Sequence, residues 1–198
     1  MSKKFICIFS FIMFIFSVAK LSAATLPTSV NLEDFTCKDF INVMTYEYQE
    51  KNIGYDNLST NYLLMWMEGH SAQSSRIISS DLLTQIVGNF SNNCLENPGS
   101  SVLTVYRTER KMLLDQYTDK EIISDSLEIT DRPCRSVPRD DKGNFAQNTR
   151  FIIFWINGYI SKSSIFSFSA IDKLITDIEK KCTQDPNLNI MSLIKEIN

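Results

Sequence analysis

His70 is the only histidine in this chain, and Ser74 and Ser75 follow it closely. A base and a hydroxyl nucleophile are thus near each other in sequence. Acyl transfer or hydrolysis also needs them within hydrogen-bond reach, with a third group to orient the base. No Gly-x-Ser-x-Gly elbow, P-loop or glycine-rich dinucleotide turn accompanies them. The 23 acidic residues are scattered, as on a solvated face, and Ser-Ser beyond a helix end is ordinary turn chemistry. Beyond the signal-like start, the remaining reactive set is Cys37, Cys94, Cys134 and Cys182. No two of these have metal-finger spacing, and one histidine cannot complete a zinc site. The residues therefore predict no catalytic centre, no metal and no cofactor. The expectation is a protein that is not an enzyme.

The elements that carry these residues begin with an export signal. Lys3 and Lys4 precede an apolar stretch from Phe5 to Val18, and small residues follow at Ser22, Ala23 and Ala24. Such a stretch falls short of the roughly twenty residues that span a bilayer. We read residues 1–24 as a cleaved signal peptide, the alternative being an uncleaved anchor. The mature charge, 17 basic against 23 acidic residues, is −6. That argues against nucleic acid and gives no preference for anionic lipid. In an exported chain, four cysteines predict two disulfides, with three possible connectivities.

A repeat selects among them. Tyr-Leu-Leu-Met-Trp-Met-Glu-Gly-His, from Tyr62 to His70, aligns without a gap on Phe-Ile-Ile-Phe-Trp-Ile-Asn-Gly-Tyr, from Phe151 to Tyr159. Trp66 meets Trp155, Gly69 meets Gly158, and His70 meets Tyr159; the chain has no other tryptophan. Cys94 to Pro98 then matches Cys182 to Pro186, and Val102, Leu103, Val105 and Tyr106 keep register with Ile190, Met191, Leu193 and Ile194. We read a tandem duplication: a first unit over 25–114, a linker over 115–132 and a second unit over 133–198. Each unit holds two cysteines, so Cys37–Cys94 and Cys134–Cys182 are the natural pairs. Units this small carry a thin core and need such a staple.

Both units read as helical. Thr36-x-x-Asp39 has the form of a capping box before Phe40, Ile41 and Met44. A tryptophan helix follows, expected to stop at its glycine, although Ile152 and Ile153 leave a strand reading open. Leu82, Leu83, Ile86, Val87 and Phe90 make a third helix running to Cys94, and its twin is expected to start at Ser169-x-x-Asp172. The segments after the prolines make a fourth. Pro138 and Gly143 oppose a long helix after Cys134, and the linker reads as either a connecting helix or a tether. Met65, Trp66, Met67, Phe151, Phe154 and Trp155 read as core, or as a surface for a client protein or the other unit.

An exported helical unit with Thr36-Cys37-Lys38-Asp39-Phe40, then Trp66-x-x-Gly69, then Cys94 with Pro98 close behind, resembles the HdeA/HdeB family of periplasmic acid-stress chaperones. In the second unit the motifs are Trp155-x-x-Gly158 and Cys182 to Pro186, while Arg132-Pro133-Cys134-Arg135-Ser136 replaces the Thr-Cys-x-Asp-Phe start. The resemblance implies an all-α fold of two small disulfide-tied four-helix units. It also implies an ATP-independent, cofactor-free holdase in the periplasm that exposes apolar surface in acid and holds unfolding clients soluble. Asp39 matches the family's acid implicated in pH sensing, and an ordinary helix cap is the other reading. The alternative function is an exported protein-binding module, such as a toxin-immunity or virulence-associated protein, that keeps the fold without chaperone activity. The expected partners are unfolding clients or one specific protein, with neither nucleic acid nor stable membrane insertion after cleavage. An internal pseudo-dimer or a homo-oligomer is compatible with two fused units.

Overall fold

The computed structural model describes residues 25–54, 58–73, 76–118, 121–122, 127–128 and 132–197. Over these residues the fold is helical, with four two-residue strands. The expected signal peptide over 1–24 and Ser74-Ser75 lie outside the described residues, as does much of the expected linker over 115–132. The first unit contains strand β1 (Val30–Asn31), α1 (Cys37–Thr45), α2 (Ser59–Ser71), β2 (Arg76–Ile77), α3 (Ser80–Glu96) and α4 (Val102–Leu114). Strand β3 (Leu127–Glu128) follows within the span read as linker, just ahead of a second helical unit with α5 (Gln147–Ile160), β4 (Ile165–Phe166), α6 (Phe168–Gln184) and α7 (Ile190–Ile197).

Local chemistry explains most element boundaries. Thr36 caps α1: its hydroxyl accepts from the Asp39 amide, and the Asp39 carboxylate accepts from the Thr36 amide at 3.0 Å and hydroxyl at 2.6 Å. This reciprocal box satisfies donors that a helix start leaves orphaned. Beyond Cys134 there is only a 3-10 turn, Cys134–Ser136, then a turn at Gly143 with φ +83°. A Cβ is disfavoured at that φ. Helix α6 starts at Phe168, with the Ser167 hydroxyl accepting from the Ala170 amide. The expected cap at Ser169 is thus two residues late, because Ser167 reaches the free amide first.

The two cysteine–proline motifs build the same clamp in both units. Cys37 N–H donates to Ser100 O at 2.8 Å and Lys38 N–H to Pro98 O at 2.9 Å. In the second unit Cys134 N–H donates to Leu188 O at 2.8 Å and Arg135 N–H to Pro186 O at 2.9 Å. The turn after each second cysteine therefore holds the start of its unit. Disulfides Cys37–Cys94 and Cys134–Cys182 close the same junctions. The second unit forms this clamp without a Thr-Cys-x-Asp-Phe start because backbone groups make it.

The strands cross between units. β1 pairs antiparallel with β4, Val30 opposite Phe166, and β2 pairs antiparallel with β3, Arg76 opposite Glu128. The strand that precedes each unit's first helix or turn thus joins the strand that follows the other unit's tryptophan helix. This reciprocal exchange and the packing of α2 on α5 join the two units in one hydrophobic core.

Candidate functional site

The largest apolar contact between the units is the crossing of α2 and α5, and it depends on two glycines. A Cβ on Gly69 would lie 1.9 Å from the Trp155 carbonyl oxygen, and one on Gly158 would lie 2.1 Å from the Trp66 carbonyl oxygen. The helix backbones touch there, which only a residue without a side chain permits. Neither glycine ends its helix: α2 continues to Ser71 and α5 to Ile160. The expected helix stops are instead the contact points of two helices.

Around the crossing, Trp66, Met67, Phe154 and Trp155 are buried, while Met65 and Phe151 are half-buried. Tyr62 reaches across from α2 to Phe151 at 4.7 Å, Phe154 at 4.8 Å and Phe168 at 5.7 Å between ring centroids. Each tryptophan stacks on the residue four positions later, Trp66 on His70 at 4.7 Å and Trp155 on Tyr159 at 5.2 Å. His70 Nδ1 lies 3.4 Å from the Gly158 carbonyl oxygen. Burial lowers the His70 pKa, and that carbonyl opposes the shift in part. His70 thus belongs to the interface and has a ring and a carbonyl as neighbours, with no nucleophile among the contacts described.

The polar groups at the crossing are unequal. Trp66 Nε1–H donates to Asn157 Oδ1 at 2.9 Å, across the two units. By repeat register the matching acceptor for Trp155 is Glu68. Glu68 is fully buried and faces its own unit, accepting from Arg110 Nε at 2.8 Å, Arg110 Nη2 at 3.0 Å and the Tyr106 hydroxyl at 2.9 Å. The Trp155 indole N–H is buried without a partner among the described residues. Burial, and then the adjacent Glu68 carboxylate, push the Tyr106 hydroxyl well above its usual pKa. For Arg110 burial works downward, and the Glu68 carboxylate outweighs it.

Two further acids are buried where sequence reasoning placed none. Glu47 accepts from the Ser59 amide at 2.8 Å and hydroxyl at 2.6 Å. It caps α2 from twelve residues away, in place of Leu58, which has no capping side chain. Glu109 accepts from Asn93 Nδ2 at 2.6 Å and ties α4 to α3. The pairing of Tyr106 and Arg110, four apart on one helix face, was the available sequence signal for an internal acid. An open cleft of about 610 Å³ lies between α5, β4, α6 and α7, lined by Ile160, Lys162, Ile165, Ile171 and Lys195 among others. Its described lining has no histidine, cysteine or acid, and no cluster able to ligate a metal occurs among the described residues. No described helix is long and apolar enough to cross a membrane.

This arrangement defines a class of protein: small helical units with a disulfide staple and an apolar face sealed against a partner unit. Residues 6–104, half of the chain, match the model of the HdeA/HdeB family, and the chain belongs to that family of periplasmic acid-stress chaperones. The match ends at the start of α4, before Tyr106, Glu109 and Arg110. No curated protein and no solved structure matches the chain.

Proposed function

We propose that this protein is an exported, ATP-independent acid-stress holdase. A signal peptide over 1–24 delivers it to the periplasm, and two units, 25–114 and 133–198, arise from a tandem duplication joined by a linker over 115–132. The observation that carries this reading is the α2–α5 crossing, where a chain of an acid-stress chaperone family holds a large aromatic surface shut by close packing and the Trp66–Asn157 hydrogen bond. Acid opens the crossing. Met65, Trp66, Met67, Phe151, Phe154 and Trp155 then leave their contacts between units and hold apolar segments of denaturing proteins, a task suited to flexible Met and flat aromatic side chains. Asp39 contributes as a pH-sensitive cap of α1, because protonation removes a carboxylate acceptor from a helix start.

The chemistry needs neither cofactor nor nucleotide, since exposure of a surface is its only step. At about pH 2, below the ordinary Asp and Glu values of about 3.9 and 4.3, the mature chain carries 17 Lys and Arg plus His70 against few remaining negative charges. Self-repulsion and the loss of carboxylate contacts both favour opening. The deciding experiment follows aggregation of an acid-denatured test protein with and without the mature chain. Suppression at pH 2–3 and none at pH 7 is expected; protection and apolar-dye binding that stay flat across that range refute the reading.

A second reading, an exported binding module for one toxin or virulence-associated protein, draws on one observation. The second unit replaces the Thr-Cys-x-Asp-Phe start with a 3-10 turn, as a fold released from acid sensing could. It predicts one tight partner at neutral pH, recoverable from the periplasm.

A further inference from the structure

The two units differ in how carboxylates hold them together. Among the described residues the buried acids are Glu47, Glu68 and Glu109, and all three lie in the first unit. Each bridges separate elements: Glu47 caps α2, Glu68 joins α2 to α4, and Glu109 joins α4 to α3. The acids of the second unit that are described are exposed or half-buried. The repeat register sharpens the contrast. Glu68 corresponds to Asn157, Tyr106 to Ile194 and Glu109 to Ile197. At these positions the second unit has an amide and aliphatic side chains, with Ile194 fully buried. The carboxylates that do join its elements, Glu179 on the Phe145 amide, Asp172 on Arg150 and Glu196 on Lys181, are exposed or half-buried.

We propose that acid opens the first unit alone, through Glu47, Glu68 and Glu109, while the second unit stays folded as an anchor. The inference rests on the acid-holdase reading and names which half is its switch. The client surface is then the released α2–α4 together with the α5 face they uncover, Phe151 and Phe154 included. Protonating Glu68 removes the countercharge of Arg110, whose side chain is 11 % exposed, and a buried charge without its partner is strongly destabilising. Protonating Glu47 removes an anion from the start of α2, where the helix dipole favours one.

Among the described residues no other charge is placed to take over. Facing Glu68 from α4 are Arg110 and the Tyr106 hydroxyl. α5 carries one charged residue, Arg150, paired with Asp172. On α1, Lys38 is exposed and Asp39 is engaged with Thr36, while on α2 itself His70 turns toward Gly158. Glu109 faces Asn93 of α3, whose own acids, Asp81 and Glu96, are exposed. Near Glu47 the one cation contact described is Lys51 over the Tyr46 ring.

General repulsion predicts the opposite order. With acids neutralised, residues 24–118 hold 6 Lys and Arg plus His70, whereas residues 119–198 hold 11. If charge density ruled, the second unit would open first. Amide hydrogen exchange of the intact, oxidised mature chain, corrected for intrinsic rates and resolved by peptide, separates the two at pH 7, 4 and 2.5.

We expect α2–α4 to lose protection by about 100-fold or more, the scale of a broken buried ion pair, while α6 and α7 keep theirs. Simultaneous loss in both units, earlier loss in the second, or no loss at all overturns the inference. In a companion measurement at pH 7, Glu68→Gln should raise exchange in α2–α4 alone; an unchanged or a uniform profile removes Glu68 from the switch. Should that variant not fold, the unmodified chain's pH series decides. A chain that opens as described yet protects no client sinks the holdase reading and leaves this one standing.

Discussion

Replacing Gly69 by Ala tests the crossing of the tryptophan helices directly. The new Cβ would sit 1.9 Å from the Trp155 carbonyl oxygen, against an ordinary contact of 3.4 Å, so the helices must part by 1.5 Å at that point. The clashing atom is backbone, and no side-chain rotation relieves it. Overpacking of this kind costs about 3 kcal/mol. A radial gap of about 1 Å forfeits up to half of each dispersion contact across it, and Trp66 and Trp155 lie at the gap. In the other direction, Ala gains about 1 kcal/mol over Gly within a helix. The net expectation is a loss of about 2 kcal/mol, or about 4–8 °C in melting temperature for a chain of this size. Gly88 is the control: it lies within α3, and nothing stands within 4 Å of its added Cβ. Gly88→Ala should therefore gain up to about 1 kcal/mol. Thermal and urea unfolding followed by tryptophan fluorescence report on the crossing itself. A Gly69→Ala protein as stable as Gly88→Ala would refute the close approach.

The remaining predictions use the same preparation. His70→Tyr, which installs the residue of the second unit, should flatten stability between pH 7.5 and 5. A folded-state pKa below the ordinary histidine value of about 6.5 means that stability is full above about 6.5 and is lost as pH falls toward the folded value. Equal pH slopes in urea midpoints for both proteins would remove His70 from that window. Asp39→Asn, which weakens the α1 cap by about 1 kcal/mol, should move the onset of client protection to higher pH; an unshifted profile clears Asp39 of a sensing role. Removing Cys134–Cys182 by a double Cys→Ala change should cost about 4 kcal/mol, as should removing Cys37–Cys94, because the closed loops span 48 and 57 residues. Denaturant midpoints check both, and a loss in only one unit would show that the other loop is held by packing.

The helices and staples were legible in the sequence because their signals are local or repeated. Capping at Thr36 and Asp39 needs only four residues. The register of Trp66 on Trp155 and of Cys94 on Cys182 pairs helix with helix. The glycines were misread because a glycine at the end of an apolar run serves equally as a stop or as a place of close approach. Their recurrence three residues after each tryptophan was the clue, since two helices of matching sequence pattern that cross at equivalent points need a small residue on both sides. Strands of two residues are too short for any periodicity, so the exchange of β1 and β3 between units left no trace. Glu68 was missed for another reason. Its identity says polar, and only Tyr106 and Arg110, some forty residues away, make its burial tolerable.

Joining the two units in one chain also changes what kind of transition acid can drive. Separate protomers open by dissociating, so their midpoint moves with concentration by mass action. Here Trp66 and Asn157, the Gly69 and Gly158 contacts, and both exchanged strand pairs lie within one polypeptide. A tether fixes the effective concentration of one half about the other and makes reclosure independent of protein concentration. Opening is then set by the carboxylate contacts and core packing of a single molecule. Diluting the protein about 100-fold would shift a dissociation equilibrium by about 2.7 kcal/mol, yet should leave the pH midpoint of this chain unchanged. Exchange or dye binding measured at both concentrations tests it, and a midpoint that moves would place the acid-labile interface between chains. If it stays, the molecule answers to pH alone. A chaperone whose own abundance varies would then still release its surface at one fixed acidity.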